Sequence, residues 1–486
     1  MNKKYFIRTF GCQMNQADSA YLTAFLDKAG YQKTERTQEA DIIIFNTCSV
    51  REHAEERLFQ NLQDTSHLKK KNPELIIGLV GCVPALHREK LFSSFPYLDF
   101  LAGPKSLAEV PSLIKRCKDG LGDSIRRISV FTSNRSLYTC RRKEKAISAF
   151  LPVITGCNNF CSYCVVPYAR GAEESRPVNE VLAEAEILVG QGVKEIILLG
   201  QNVNSYQDPQ NGVDFPNLMA RAARIAGILR LGFLTSHPKD VSTRLFEVMA
   251  ENKNIYKHLH LPLQSGSDKI LSAMNRKYTA EHYRGMITEA RRLIPNLSLT
   301  SDVIVGFPGE TEADFQDTLT VVKEAQFDDL FAFKYSDRPG TSAEKIETKV
   351  SRELKEERLR CLWEVQNRIS LEKNQALAGK ISEVLVLRKS SKRQGFLVGK
   401  TEQEKKVLIE TTDSEPEREN SDPERVALQS VCRGLIHQAR GSDKSDPYNS
   451  FGMGLTEVGV FGCLVPVRIT RADRHLFYGV IVGGEE

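Results

Sequence analysis

The chain has 486 residues, 41% hydrophobic and 27% charged, which at roughly 150 residues per domain points to about three globular domains and excludes a disordered, collagen-like or coiled-coil chain. The 67 Lys and Arg against 62 Asp and Glu leave a net charge of +5, too small to argue nucleic-acid binding from the overall field. Eleven cysteines follow an N-terminus that runs straight into a strand-like pattern with no leader-like segment. They fit metal or redox chemistry in a cytoplasmic protein better than a disulfide framework. The longest apolar runs, such as residues 196–200, fall far short of the ~20 residues of a membrane span.

In chain order, residues 5–9, 41–45 and 75–80 read as short buried strands. Between them, residues 18–29 carry Tyr21, Leu22, Phe25 and Leu26 at helical spacing, and residues 51–71 are polar and helix-like. Strand-helix alternation predicts a parallel α/β sheet. A cysteine follows each strand: Cys12, Cys48 and Cys82, at intervals of 36 and 34 residues. That interval is about one β-α unit, so a parallel sheet brings all three thiols to its carboxyl edge, where open α/β sheets bind ligands. Singly, each thiol reads as a small buried hydrophobe; at equivalent strand ends, the three form a candidate ligand set.

Residues 133–148 are polar and basic and read as a linker. Beyond it, strand-like runs at 150–155, 195–199, 229–234, 258–263, 297–305 and 330–335 predict an incomplete (βα)6 TIM-like barrel. From residue 377 the runs shorten, at 381–387, 395–398, 407–409, 465–469 and 477–482, predicting a small β barrel. Residues 411–449, rich in Glu, Asp, Ser, Pro and Arg, read as a flexible insertion. The α/β chain thus divides into 1–132, the linker 133–148, a core over 149–376, and a terminal β domain over 377–486.

Directly after the first barrel strand, Cys157, Cys161 and Cys164 stand in a C-x3-C-x2-C spacing. Three thiolates occupy three irons of a [4Fe-4S] cube and leave the fourth open to a small molecule. A structural zinc site would want a fourth Cys or His at finger spacing, and none follows. Cys117, Cys140, Cys361 and Cys463 lack such company, and packing is their default; Cys432 lies inside the insertion and reads as incidental.

Spacing and barrel pattern together resemble the radical S-adenosylmethionine enzymes. The resemblance sharpens over nearly the whole chain, through Thr9-Phe-Gly-Cys-Gln-Met-Asn, Asn46-Thr-Cys-Ser-Val-Arg-Glu, Gly81-Cys, Gly156-Cys-Asn-Asn-Phe-Cys-Ser-Tyr-Cys, Arg170-Gly, Ser175-Arg-Pro, Leu199-Gly-Gln-Asn-Val-Asn-Ser-Tyr, His260-Leu-Pro-Leu-Gln-Ser-Gly-Ser and Asp302-Val-Ile-Val-Gly-Phe-Pro-Gly-Glu-Thr. These blocks resemble the radical-SAM methylthiotransferases, and the Gln-Asn-Val-Asn-Ser-Tyr block resembles their MiaB branch. The stretch from Gly379 onward is similar to a TRAM domain, a small RNA-binding β barrel.

The resemblance implies two [4Fe-4S] clusters: a sulfur-bearing one on Cys12, Cys48 and Cys82, and a radical-generating one on Cys157, Cys161 and Cys164. It implies S-adenosylmethionine as both methyl donor and source of a 5'-deoxyadenosyl radical. The implied substrate is N6-isopentenyl adenosine at position 37 in the anticodon stem-loop of tRNA, methylthiolated at C2, with a reductant protein as electron donor and a monomeric enzyme. Sister acceptors, threonylcarbamoyl-adenosine or a ribosomal-protein aspartate, and a non-catalytic iron-sulfur RNA-binding regulator are the alternatives. No side-chain acid or base is expected to be catalytic.

Gln201, Asn202, Gln264 and Ser265 follow predicted barrel strands and are candidate cofactor contacts, with ordinary loop polarity as the alternative. Gly306-Phe-Pro-Gly-Glu lacks the Gly-Lys-Ser/Thr ending of a phosphate loop, which excludes a nucleotide triphosphatase. His237 reads as structural, because the implied radical step needs no base there. Arg468, Arg471, Arg474 and His475 are candidate RNA-backbone contacts or a solvated charged edge.

Overall fold

The computed structural model describes residues 3–49, 52–119, 128–131, 146–411 and 460–482, without the side chains of 52–54. Most of the basic linker, nearly all of the 411–449 insertion, Cys140 and Cys432 lie outside the described residues. Within them, no helix is long and apolar enough to cross a membrane.

The N-terminal layer holds β1 (Lys4–Thr9), α1 (Gln13–Lys28), β2 (Gln32–Lys33), β3 (Ile42–Thr47), α2 (Glu52–Lys71), β4 (Ile76–Gly81), α3 (Cys82–His87), α4 (Lys90–Ser94), β5 (Phe100–Ala102), α5 (Val110–Asp119) and β6 (Ile128–Val130). The strands form one parallel sheet in the order β2-β1-β3-β4-β5-β6. Helices cover both faces, so the central strands β3 and β4 are buried along their whole length. Ile42 and Ile44 enter one apolar layer and Ile43 and Phe45 the other. Helix α1 starts five residues earlier than the apolar spacing indicates. There the Asn15 side-chain oxygen accepts from the Cys12 backbone N–H at 3.4 Å and from its thiol at 3.3 Å, closing the first turn.

The central region holds β7 (Ser148–Pro152), β8 (Ile154–Thr155), α6 (Val166–Arg170), β9 (Glu174–Ser175), α7 (Val178–Gly190), β10 (Glu195–Leu199), α8 (Phe215–Ala223), β11 (Arg230–Leu234), α9 (Thr243–Glu251), β12 (His258–His260), α10 (Asp268–Ala273), α11 (Ala280–Leu293), β13 (Ser298–Val305), α12 (Glu312–Ala325), β14 (Asp329–Lys334) and α13 (Arg352–Gln375). Its six principal strands run parallel in two groups, β7-β10-β11 and β12-β13-β14. Among the described residues, a single parallel bridge, Leu231 to Ile255, joins the groups. The arc is the expected incomplete barrel, with β7 and β14 at its ends. Two strands stop early at prolines, which have no N–H to give the ladder. The first ends at Pro152, and the fourth ends at His260 before Pro262.

The terminal region closes a five-stranded barrel of β15 (Ile381–Lys389), β16 (Phe396–Thr401), β17 (Lys406–Glu410), β18 (Leu464–Ala472) and β19 (Phe477–Ile481), in the order β15-β16-β17-β19-β18. Its β16-β17 turn plugs the amino-terminal end of the central arc. Lys400 Nζ lies 3.0 Å from Glu195 and 2.9 Å from Glu404, whose other oxygen is 2.8 Å from His258 Nδ1. The Tyr256 hydroxyl also donates to Glu195. Around this plug, Arg230 pairs with Glu383 at 2.6 Å and Lys405 with Asp328 at 2.8 Å.

Against the cost of burial, Lys400 and His258 hold the Glu404 carboxyl well below the usual carboxylate range. Its contribution to stability is therefore complete above the unfolded-chain value of about 4.3 and is lost as pH falls through the lower folded value. Glu404→Ala is expected to cost about 3 kcal/mol at pH 7, the low end for breaking a buried pair because both partners keep some solvent contact. Denaturant melts of wild type and variant should converge as pH drops below about 4; a gap independent of pH would assign the loss to packing alone.

Candidate active site

Three strand ends deliver the first thiol triplet. Asn15 Nδ2 donates to Asn46 Oδ1 at 3.1 Å and to the Thr47 carbonyl at 3.0 Å, while Asn46 Nδ2 returns a bond to the Asn15 carbonyl at 2.9 Å. The Thr47 hydroxyl then donates to the Val80 carbonyl at 2.8 Å. These bonds align the ends of β1, β3 and β4, so Cys12, Cys48 and Cys82 converge. A Cβ on Gly11 (φ +130°) would stand 2.2 Å from Cys48 Cβ, and only glycine permits that approach.

The hydrogen bond with Cys48, aided by the Arg170 guanidinium and by backbone donors, draws the Cys12 thiol down to about 6 despite burial. Burial pushes the Cys82 thiol up, and Arg170 opposes that shift. Arg170 itself is buried and still fully charged, because Asp18, Cys82 and Cys12 outweigh its loss of solvent. Its Nη2 donates to Asp18 Oδ2 at 2.7 Å, joining α6 to α1 across the domain boundary. Nearby, the Tyr21 hydroxyl donates to Glu184 at 2.6 Å, and Glu184 also pairs with Arg176 at 2.8 Å.

The second triplet sits on the loop after β8. Gly156 (φ +81°) passes so close to the Ala172 carbonyl that a Cβ would stand 1.9 Å away. Its N–H donates to Gln201 Oε1 at 2.6 Å, and the Cys157 N–H donates to the Gly171 carbonyl at 3.1 Å. Arg276 Nη1 donates to Cys161 Sγ at 3.4 Å. Burial pushes Cys164 up to about 12, helped by the neighbouring Cys161, and burial also raises Cys157. Helix α6 starts two residues after Cys164 and ends at Arg170. Its five residues span about 7.5 Å, so one short helix separates the two triplets, and α3, which begins at Cys82, packs against it.

All six thiols are free. Among the described residues, no three His, Cys, Asp or Glu side chains close on a single metal-ion point. The thiols form two open triplets instead. A cube takes its ligands on separate irons, so it needs sulfurs spread wider than one ion does.

The remaining predicted residues divide by what holds them. Gln201 fixes the second thiol loop through Gly156. Asn202 Nδ2 donates to Asp240 at 2.7 Å, while Asn202 Oδ1 and Gln264 Oε1 are buried with no hydrogen-bond partner among the described residues. Gln264 also adopts φ +68°. Ser265 is fully buried, and its hydroxyl is engaged by the Ser267 N–H at 3.2 Å and Thr318 at 3.4 Å, against α12. Burial, with Arg276 and Lys239 nearby, pushes His237 down to about 2, so it stays neutral, and its Nδ1 accepts from the Lys239 N–H.

In the Gly306-Phe-Pro-Gly-Glu turn, the Gly306 N–H donates to Glu310 at 2.6 Å, and Glu310 is locked to Arg358 at 2.8 Å. That internal lock takes up a donor a phosphate loop would offer to its ligand. Arg468 and Arg471 are exposed, Arg471 lying over the Tyr478 ring at 4.3 Å and pairing with Asp473 at 2.8 Å. Arg474 is half-buried, its backbone carbonyl accepting from Asn374 Nδ2 at 2.8 Å, and His475 lies 3.4 Å from Asp329. Cys117, Cys361 and Cys463 lie in or against apolar layers. Sequence reasoning assigned no role to Asp18 or Arg276, which carry no local signature.

Residues 151–322 match the Radical SAM superfamily, and residues 4–103 match Uncharacterized protein family UPF0004. The tRNA-2-methylthio-N(6)-dimethylallyladenosine synthase of Chlorobium phaeobacteroides is 45% identical over 415 residues, 85% of this chain and 93% of that protein. The Caldicellulosiruptor saccharolyticus protein of the same name is 45% identical over 418 residues, covering 85% and 88%. Among solved structures, the radical S-adenosylmethionine methyltransferase TsrM from Kitasatospora setae superposes with a TM-score of 0.52 at 13% identity, over 79% of this chain and 78% of that one. That likeness is one of fold alone.

The Arg170–Asp18 pair is buried enough for a double-variant cycle to isolate it. Arg170→Met alone strands a buried carboxylate and should cost about 3–5 kcal/mol. Adding Asp18→Asn should restore at least half of the lost stability in urea melts. Additive losses would mean that the two side chains contribute independently.

Proposed function

The chain belongs to the family of tRNA-2-methylthio-N(6)-dimethylallyladenosine synthases, within the radical SAM superfamily, and on that premise we propose that it transfers a methylthio group to C2 of N6-isopentenyl adenosine at position 37 of tRNA. Membership makes the chain an enzyme and removes the regulator alternative. It also brings a [4Fe-4S] cluster and S-adenosylmethionine, and by homology a second cluster. The observation that carries the reading is the convergence of two thiol triplets, from separate domains, at the two ends of α6.

The donor sets suit iron-sulfur clusters. Each triplet offers three free thiols, each faces a buried guanidinium, and each begins beside a glycine that keeps the approach clear of a Cβ. In this reading Cys157, Cys161 and Cys164 hold the radical-generating cluster, and Cys12, Cys48 and Cys82 the sulfur-bearing one. Gln264 Oε1 and Asn202 Oδ1, two buried acceptors that follow barrel strands and have no partner among the described residues, are the candidates to receive hydrogen bonds from S-adenosylmethionine. When bound, the groups supply homolytic cleavage of an inert C–H bond and the sulfur that replaces the hydrogen, chemistry outside the reach of side chains.

The protein's own residues hold and shield this chemistry. Arg276 donates a hydrogen bond to Cys161, and Arg170 favours the thiolate forms of Cys82 and Cys12. Cys12, Met14 and Ala17 pack with Phe150, Ile197, Leu199, Leu234 and Tyr256, excluding water from one half of the barrel interior. On the far side, Arg338 beyond β14 lies 3.7 Å from Glu55 of α2. The N-terminal domain thus touches both edges of the open arc. A base entering there must be unstacked, and an anticodon loop presents such bases at low cost.

Mass spectrometry of tRNA nucleosides from cells with and without the gene tests the activity. Deletion should erase the 2-methylthio mark and accumulate the isopentenyl precursor; an unchanged profile would refute the assignment. Anaerobically reconstituted protein should bind about eight irons. The Cys157→Ala, Cys161→Ala, Cys164→Ala triple variant should bind about half that number, and loss of all iron from it would contradict two independent sites.

A further inference from the structure

An apolar plug covers one side of the barrel interior, and on the other side two aromatic rings stay exposed. Across from the apolar plug formed by the start of α1, strands β12, β13 and β14 alternate so that Leu299, Val303 and Leu330 point outward into the helix-covered core. The period of two then places Thr300, Asp302, Phe331 and Phe333 on the inner wall. Register sets Asp302 beside Phe331 and Ile304 beside Phe333. Leu330 is 3% exposed, yet Phe331 and Phe333 on the same strand remain 47% and 40% exposed. Large aromatic side chains normally spend that surface on burial, so two of them bared on an inner wall mark a surface kept for something flat and apolar.

The wall is held in place. His260 meets Phe331 edge to face, with ring centroids 6.0 Å apart. The same imidazole is 3.0 Å from Thr300 Oγ1 through Nδ1 and 3.5 Å from Asp302 Oδ2 through Nε2. Thr300 thus anchors the ring through Nδ1, and Asp302 stands beside its other nitrogen. An open aromatic strip beside a fixed polar edge is the complement of a heteroaromatic base bearing a branched hydrocarbon.

We propose that Phe331 and Phe333 form the specificity-determining wall that receives the isopentenyl-substituted adenine. This rests on the methylthiotransferase reading and deepens it. The isopentenyl group adds apolar carbons that an aromatic wall rewards and a hydrated one does not. The wall thus favours the isopentenylated base over unmodified adenosine, and its removal abolishes the preference without touching the thiol triplets.

The test measures binding of the reconstituted holoenzyme to two anticodon stem-loop RNAs, identical except that one carries N6-isopentenyl adenosine and the other adenosine. Wild type should bind the isopentenylated RNA at least about tenfold more tightly, the scale at which apolar pockets discriminate. Phe331→Ala/Phe333→Ala should reduce the ratio to within about twofold, weakening the isopentenylated RNA several-fold more than the unmodified one. Phe331→Leu/Phe333→Leu, which keeps apolar bulk, should retain most of the preference and guards against loss of fold. A double-alanine variant that discriminates as well as wild type, or a wild type with no preference, overturns the inference. Failure of the broader activity shows separately, as an unchanged tRNA nucleoside profile in the deletion strain.

Discussion

Arg170 carries a full positive charge in the protein's interior, and the placement of the site follows from that charge. A guanidinium taken out of water must be paired, and Asp18 pairs with it at 2.7 Å across the boundary between the N-terminal sheet and the central arc. The same cation faces Cys82 and Cys12, so it offsets negative charge on the first thiol triplet as well as joining the domains. Because α6 connects Arg170 to Cys164 within one short helix, docking of the two domains and approach of the two triplets are one geometric event. A shift of α1 along the barrel would unpair Asp18 and pull Cys12 away from the second loop together.

The two ends of the central arc are closed by different domains with different chemistry. At the carboxyl ends of the strands, α1 closes half the interior with apolar side chains, which suits a site that must exclude water. At the amino ends, the terminal barrel inserts the charged cluster of Lys400, Glu404, His258 and Glu195. Buried charges tolerate little displacement, because each must keep its partner. That plug therefore orients the terminal barrel on the core while its exposed Arg468 and Arg471 remain at the surface. The inner wall of β12, β13 and β14 lies between these closures, and it is there that aromatic rings stay bare.

Much of this was legible from local features. Strands buried on both faces read as continuous apolar runs, so Ile42–Thr47 and Ile76–Gly81 appear close to the expected positions. One β-α unit between cysteines is enough to predict that Cys12, Cys48 and Cys82 share a sheet edge, and the C-x3-C-x2-C loop declares itself by spacing alone. These are features of neighbours along the chain, whose geometry the backbone period sets. The candidate cofactor residues were less separable: Gln201 braces a thiol loop, Asn202 and Gln264 each present an oxygen unpartnered among the described residues, and Ser265 turns into packing against α12. All four follow strands, and which way each loop turns depends on what lies beyond it.

The sequence by itself determined the layer order of the elements, the two thiol sets and the family they belong to, because period and spacing survive in one dimension. Only the tertiary structure decided that Asp18 meets Arg170 across 152 residues, that Lys400 reaches Glu195, and that Phe331 and Phe333 stay exposed. Charge pairing and exposure depend on which surfaces dock, and docking is settled by complementary shape between segments far apart in the chain.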